Sequence, residues 1–410
     1  MIPILAWRNL WRNPTRTLVL IGAIALGVWA ALFMTGFATG MIKSYISNAI
    51  DQVVSHIQIH HPDFAEDQDV KFMLENPEQA ATEIAQRADV KAVTVRTLAT
   101  GMISSAKGAR GIKVKGIDPA QESVLTGLDQ RIVDGTYLEG KRKNEILISR
   151  AIAEKLKVRV RSKLVLNMQD LQGEITPAAF RVVGIFHTGN KPFDEGHVFV
   201  ARKDLNRLLT LTSEGAVDPA DLGHEIAMLL EDTKNLLAVQ SAISKPEWQV
   251  ENYKEISPDL ELYESQMEFV STIYLSIIML ALTFGIINTM LMAVLERLRE
   301  LGMLMGIGMN KLKIFLMIML EAVFLGAVAA PIGLGLGMLT IYFLGQHGLD
   351  LSMYSDSLEM YGMSPVVYFD VPAKVYWQIP IFVACTAILA ALYPAYKAIK
   401  LKPVEAIRKI

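Results

Sequence analysis

The chain has 410 residues, 52% of them apolar, and a mean hydropathy of +0.32, too apolar for an ordinary soluble enzyme. A formal net charge of −2 offers no general basic field, so no nucleic-acid partner is expected. The single cysteine, Cys385, lies in an apolar run and excludes an intrachain disulfide or a cysteine metal cluster.

Residues 1–17 include "IPILAWRNLWRNP", where Ile4, Leu5, Trp7, Leu10 and Trp11 sit among Arg8 and Arg12. That pattern predicts a short amphipathic helix in the membrane interface, ended by Pro14. The run 18–42 is long enough to span a hydrocarbon core, which takes about 20 apolar residues. It exceeds a signal-peptide core and ends in no small-x-small cleavage site, so it reads as a retained span. Apolar positions 42, 46, 50, 53 and 54 predict that the helix continues as a stalk.

Residues 43–268 read as an extracytoplasmic α+β domain. "HIQIHH" and "KAVTVRTLATGMI" predict strands and "NPEQAATEIAQRA" a helix. "NEILISRAIAEKL", "KLVLNM" and "FRVVGIF" predict a second strand-rich lobe, inserted over 119–203. "GHEIAMLLED", "TKNLLAVQSAIS" and "WQVEN" then return to the first lobe as strand, helix and strand.

Catalytic and metal motifs are incomplete. "GTYLEGKR" has Gly135, Gly140 and Lys141 of a phosphate loop, but Arg142 stands where a Mg²⁺-binding Ser or Thr belongs. "HEIAM" has His224 and Glu225 of a zinc-protease helix, but Met228 replaces the second His, and the segment reads better as a strand. His56, His60 and His61 alternate with Ile57 and Ile59, which favours an exposed strand face over a metal site. No catalytic residue and no metal site are expected.

Three further spans follow at 269–295, 314–345 and 375–396, the first of these led by "LELYESQMEFVSTIYLSI" as another stalk. Of the four spans only 314–345 holds a charge, Glu321, about 10 Å from its near end at 1.5 Å per residue. An intramembrane acid is costly, and a packing carboxylate competes here with a functional one. Gly36 and Gly40, with Gly333 and Gly337 in "PIGLGLG", offer small-residue faces for close helix association, within the chain or with a second copy. Lys and Arg concentrate in 1–17, in the 296–313 loop and in the 397–410 tail, whereas the 346–374 loop is acidic. Both termini and the 296–313 loop are therefore expected in the cytoplasm, with 43–268 outside.

The 296–313 loop carries Glu296, Arg297, Arg299 and Glu300, followed by Gly302, Gly306 and Gly308. Arg297 and Glu300, like Glu296 and Arg299, are three apart, so a short helix would pair them on its surface. Such exposed pairs contribute only about 0.3–0.5 kcal/mol each, too little for folding alone to explain the cluster. A docking surface for another protein is expected instead, with the glycines turning the chain into the third span.

Preceded by "GIINTMLMAV", this segment resembles the signature of the FtsX/MacB-type permeases of ABC transporters, the mechanotransmission or type VII class. Asn288, Glu296, Arg297, Glu300, Gly302 and Gly306 fall on the matching positions. "LEAVFLGAVAAPIGLGLG", including Glu321, is similar to the family's third span, and "YPAYKAIKLKPVEAIRKI" to its C-terminal end. "VKGIDPAQE", "ILISRAIAEKL" and "FRVVGIFHTG" resemble its outer domain. Arg161–Ser162 replace a usual Gly-Asp, which should reshape one turn, and Ala329–Ala330 stand where glycines are common.

The resemblance implies a membrane α-helical fold of four transmembrane helices plus an extracytoplasmic α+β domain with Porter-like and Sabre-like lobes. It implies a non-catalytic permease subunit of the bacterial inner membrane, most similar in layout to the lipoprotein-releasing LolC and LolE subunits. ATP and Mg²⁺ would sit on a separate ABC ATPase dimer. The other partners implied are a second permease copy, identical or related, a lipoprotein or hydrophobic substrate, and a periplasmic carrier or adaptor. Efflux through a tripartite MacB-like pump, and FtsX-like signalling to an outside enzyme, remain open alternatives.

Overall fold

The computed structural model describes residues 2–50, 54–139, 142–211 and 218–400, and the chain divides into two compact units. The membrane unit comprises residues 1–42, 265–350 and 366–410, and the extramembrane unit residues 43–264 and 351–365. Helix α1 (Ile2–Trp11) is separated from α2 (Pro14–Ala49) by a two-residue break. Pro14 suits the first helical position because its fixed φ is helical and its missing N–H would lack a partner there anyway. Thr17 Oγ1 donates to the Leu10 carbonyl at 2.5 Å, bracing the corner. As expected, α2 outruns residue 42.

In the extramembrane unit the helices are α3 (Phe64–Asp67), α4 (Pro77–Ala85), α5 (Pro119–Thr126), α6 (Arg150–Leu156), α7 (Lys191–Gly196), α8 (Arg202–Leu209), α9 (Leu236–Ile243) and α10 (Tyr253–Ile256). The strands are β1 (Ile57–His60), β2 (Val90–Ser105), β3 (Gly108–Ile117), β4 (Ile132–Gly135), β5 (Glu145–Ser149), β6 (Lys163–Gln169), β7 (Ile175–Phe186), β8 (His197–Ala201), β9 (Glu225–Leu230) and β10 (Gln249–Asn252). They run β10-β1-β9-β2-β3-β8-β5-β7-β4, and β6 pairs with β2 and β7.

β2 serves both lobes. Its Val90–Arg96 half pairs with β9, while Thr97–Ser105 pairs with β3 and, near its end, with β6. The first lobe's core is built on Ile57, Ile59, Val95, Ile226 and Met228, the second's on Ile103, Ile146, Ile148, Leu166 and Phe180. The inserted lobe therefore takes in the latter half of β2 and all of β3, ahead of the expected boundary at 119. Arg161 adopts φ 74°, and its N–H donates to the Val182 carbonyl at 2.7 Å. Arg161 thus takes a left-handed conformation suited to glycine and bears local strain there.

The remaining helices are α11 (Pro258–Glu296), α12 (Leu298–Gly306), α13 (Lys311–His347), α14 (Ser355–Met360) and α15 (Ala373–Ile399). Among the described residues, four segments are long and apolar enough to cross a membrane: Pro14–Ala49, Phe269–Glu296, Lys311–His347 and Ala373–Ile399. The expected 346–374 loop holds a two-stranded ladder, β11 (Leu349–Asp350) with β12 (Val366–Val367).

All four singled-out glycines are used inside the chain. Gly333 brings α13 onto the Ala25 carbonyl and Val28, and Gly337 packs on Leu32. Gly36 faces Phe369 and Val371, and Gly40 lies against the Tyr368 carbonyl. A Cβ at Gly333, Gly337 or Gly40 would collide with these neighbours. Contrary to one expectation, the glycines therefore carry no argument for a second copy.

Candidate functional site

Arg297 interrupts the helices, standing between α11 and α12 at φ −100°, ψ 15°. Its Nη1 donates to both carboxylate oxygens of Glu321, at 3.1 and 3.3 Å. Asn9 Nδ2 donates to the same carboxylate at 2.8 Å. Because α13 begins at Lys311 rather than 314, Glu321 lies about 15 Å along its helix, deeper than expected. Two donors make the buried acid tolerable there, which fits a packing carboxylate that joins α1 and α13 to the junction between α11 and α12.

Around it the charges pair across the chain. Both terminal nitrogens of Arg12 bind the two carboxylate oxygens of Glu300, Nη1 at 2.7 Å. Arg16 Nη1 donates to Glu296 at 2.8 Å and its Nη2 donates to the Thr289 carbonyl. Arg297 Nε lies 3.5 Å from Glu300, a pairing within the segment that matches the three-apart expectation. The Arg12 hydrogen bond holds the Glu300 carboxyl below its ordinary range. Asn9, Arg12, Arg16, Glu296, Arg297 and Glu321 line a cavity of about 230 Å³.

Sequence reasoning missed Asn9, Arg12 and Arg16 as partners. One signal was available: Arg12 and Arg16 are four apart, as are Glu296 and Glu300, so two basic and two acidic steps match.

The other side of α12 is exposed. Arg299 is exposed with Met303 at 53% and Ile307 at 86%, four residues apart each time and so on one helical face. Gly306 is exposed, whereas Gly302 is buried. The turn into α13 is made by Gly308, at φ 98°; Gly302 and Gly306 are helical, which corrects the role expected of them. Asn288 sits on an exposed stripe of α11 with Phe269, Ile273, Ile277, Leu280, Phe284 and Met292, in helical steps of three and four.

The histidines do not form an exposed face. All of β1 is buried between β9 and β10, and His60 stacks on Phe64 at 5.5 Å with Nε2 3.3 Å from Glu225. His56 Nδ1 accepts from the Leu230 N–H at 2.8 Å, and His61 stacks on Phe72 at 5.5 Å. His224 precedes β9; its Nε2 donates to the Val70 carbonyl at 2.8 Å, and burial pushes its pKa down to about 4. Among the described residues no group of three His, Cys, Asp or Glu could hold a metal. Gly135 ends β4, while Gly140, Lys141 and the tail from 401, with Pro403 and Ala406, lie outside the described residues.

Comparison with known proteins bears on this arrangement. The family model for the FtsX-like permease C-terminal domain matches residues 272–403, and that for the MacB-like periplasmic core domain matches residues 17–245. The lipoprotein-releasing system transmembrane protein LolC of Neisseria meningitidis is 24% identical over 96% of this chain and 94% of its own. LolE of Haemophilus influenzae, also a lipoprotein-releasing system transmembrane protein, is 21% identical over 97% of this chain and 96% of its own. The crystal structure of the periplasmic region of MacB from Actinobacillus actinomycetemcomitans covers 53% of this chain and 97% of that one, at 12% identity and a TM-score of 0.34.

Proposed function

We propose, for a chain that belongs to the FtsX-like permeases of ABC transporters with a MacB-like periplasmic core, that it transmits ATP-driven motion to its extramembrane unit and so releases lipoproteins from the outer leaflet of the inner membrane. The observation that carries the reading is the two-sided segment 296–307. Its inward charges hold Arg12, Arg16 and Glu321, while Arg299, Met303 and Ile307 face outward. A large exposed Ile beside a Met and an Arg suits a protein groove better than water. The occupant is a separate ABC ATPase, which carries ATP and Mg²⁺; this chain supplies no catalytic group. Both termini and the 296–313 loop lie on the cytoplasmic side with that ATPase, and residues 43–264 on the periplasmic side.

The lipoprotein cargo is supported by relatives of matching length whose names state lipoprotein release. A second copy, identical or related, packs on the Asn288 end of the α11 stripe, leaving Ile273 and Ile277 to the cargo. An asparagine amide amid an apolar stripe is costly against lipid and is satisfied by a facing helix, where it also fixes register. A periplasmic carrier then accepts the cargo.

Photocrosslinking residues placed along these surfaces test the assignments together, in membranes holding the ATPase and an acylated lipoprotein. A probe at Ile307 is expected to capture the ATPase, one at Asn288 a second permease copy, and one at Ile273 or Ile277 the lipoprotein. Capture of lipoprotein only from Ile307, or of none from α11, contradicts the release reading. Capture of a small amphipathic drug in its place favours efflux.

A further inference from the structure

A polar stripe crosses one face of the extramembrane sheet. The register sets Glu225 opposite Arg96, Leu98 opposite Lys115, and Lys113 beside His197. Opposed residues, and residues two apart on a strand, share a face, so these six side chains lie on one side of β9, β2, β3 and β8. Most of the charge there is satisfied. Arg96 donates to Glu122 at 2.9 and 2.7 Å and to Glu225 at 2.6 Å, and Glu225 also meets His60.

Lys115 is the exception. It is 7% exposed, its Nζ lies 5.6 Å from the Phe193 ring, and among the described residues no carboxylate lies within ion-pair distance, Glu225 and Glu122 acting on it only from farther away. It lines a cavity of about 330 Å³ whose walls also hold Phe64, Val114, His197, Glu225 and Ile256. That volume is at the small end of ligand sites, which run from about 300 to 1,000 Å³. Lys113 is exposed on the wall, and Glu251 and Glu255 line it from β10 and α10. Glu255 is already engaged by the Asn252 N–H at 2.9 Å and Gln240 at 2.7 Å.

An ammonium group with three donors and no acceptor is costly when buried. Burial, joined by the nearby Arg96 charge, pushes its pKa down to about 8, so it remains mostly protonated at neutral pH. His197 donates Nδ1–H to the Phe193 carbonyl at 3.0 Å and stays neutral, its pKa pushed down to about 3 by burial first and Lys115 next. The competing account is that Lys115 merely balances Glu122 and Glu225 against Arg96.

We propose that this cavity binds a small amphiphile through a phosphate monoester head on Lys115, with its apolar part against Phe64 and Ile256. The site is independent of the cargo assigned above.

The test uses the full chain in detergent, with hexyl phosphate as the soluble probe and dioctanoyl phosphatidic acid as the lipid probe. The acetylation rate of Lys115 is measured by mass spectrometry against that of exposed Lys107. At ten times Kd, protection of Lys115 on the order of tenfold is expected from mass action, with Lys107 unchanged. Protection by both probes assigns the head to a membrane lipid; protection by hexyl phosphate alone assigns it to a soluble ester. No protection by either leaves a charge-balancing lysine only and overturns the proposal. In a second arm hexyl phosphate is expected to raise the melting temperature of the wild type and not of Lys115→Met. Equal shifts in the two overturn it, and should that variant fail to fold, the labelling of the wild type decides alone.

Discussion

Replacing Arg96 by methionine is expected to lower the melting temperature of the extramembrane unit by roughly 6–20 °C. Arg96 is 1% exposed, and its guanidinium occupies both oxygens of Glu122 and one of Glu225. Burial raises the cost of ionising Glu225, but Arg96 and the His60 hydrogen bond outweigh it and hold that carboxyl low. Removing the cation strands two buried carboxylates, and breaking such a network from one side typically costs about 3–5 kcal/mol. At about 2–4 °C per kcal/mol for a unit of this size, the shift follows. Lys115 is on the same face but out of ion-pair reach, so it does not substitute. Replacing Glu122 and Glu225 with apolar residues as well should recover much of the loss, since the uncompensated charges cause it. A single variant melting within 2 °C of wild type would show that the network is not what holds β2, β9 and α5 together.

The second large effect is on coupling rather than stability. Arg12→Glu should leave the chain folded and inserted, because Arg12 is largely exposed and such pairs contribute about 0–1 kcal/mol. It should nevertheless abolish most transport by turning a bidentate clamp between the α1–α2 corner and α12 into a repulsion. If the segment 296–307 moves with the ATPase, force reaches the α1–α2 corner, α2 and α13 through Arg12–Glu300, Arg16–Glu296 and Arg297–Glu321. Glu300→Arg alone should act alike, and the double reversal should restore transport in part. Restoration stays incomplete because Arg297 lies 3.5 Å from Glu300 and would then face a like charge. Lipoprotein release per ATP in proteoliposomes reads this directly. Undiminished release in both single variants would remove the clamp from the mechanism.

The spans and strands were legible because each depends on local pattern: apolar length for α2 and α13, alternation for β2, β6 and β7. What failed depended on who sits next to whom. His60 was read as exposed from its alternation with Ile59, but β1 lies inside the sheet and is covered on both faces. The lobe boundary was missed because β2 crosses from one lobe to the other at Arg96–Thr97 with no Gly or Pro to mark it. The glycine faces were visible, but not that α2 and the 367–371 segment fill them. In the charged segment the ionic residues drew attention, while Met303 and Ile307 read as ordinary apolar residues beside a span. Only the position of α12 shows that they are left uncovered.

The central claim is that this outward face receives the ATPase. It is tested most directly by the ATP hydrolysis rate of the reconstituted complex carrying Met303→Asp with Ile307→Asp. Two buried carboxylates at the interface should cost the complex at least several kcal/mol. The ATPase should then dissociate on purification or lose its cargo-dependent stimulation, while the permease inserts and melts like wild type. Wild-type ATP hydrolysis with normal cargo stimulation in this variant would contradict the account, leaving 296–307 a connecting turn between two spans.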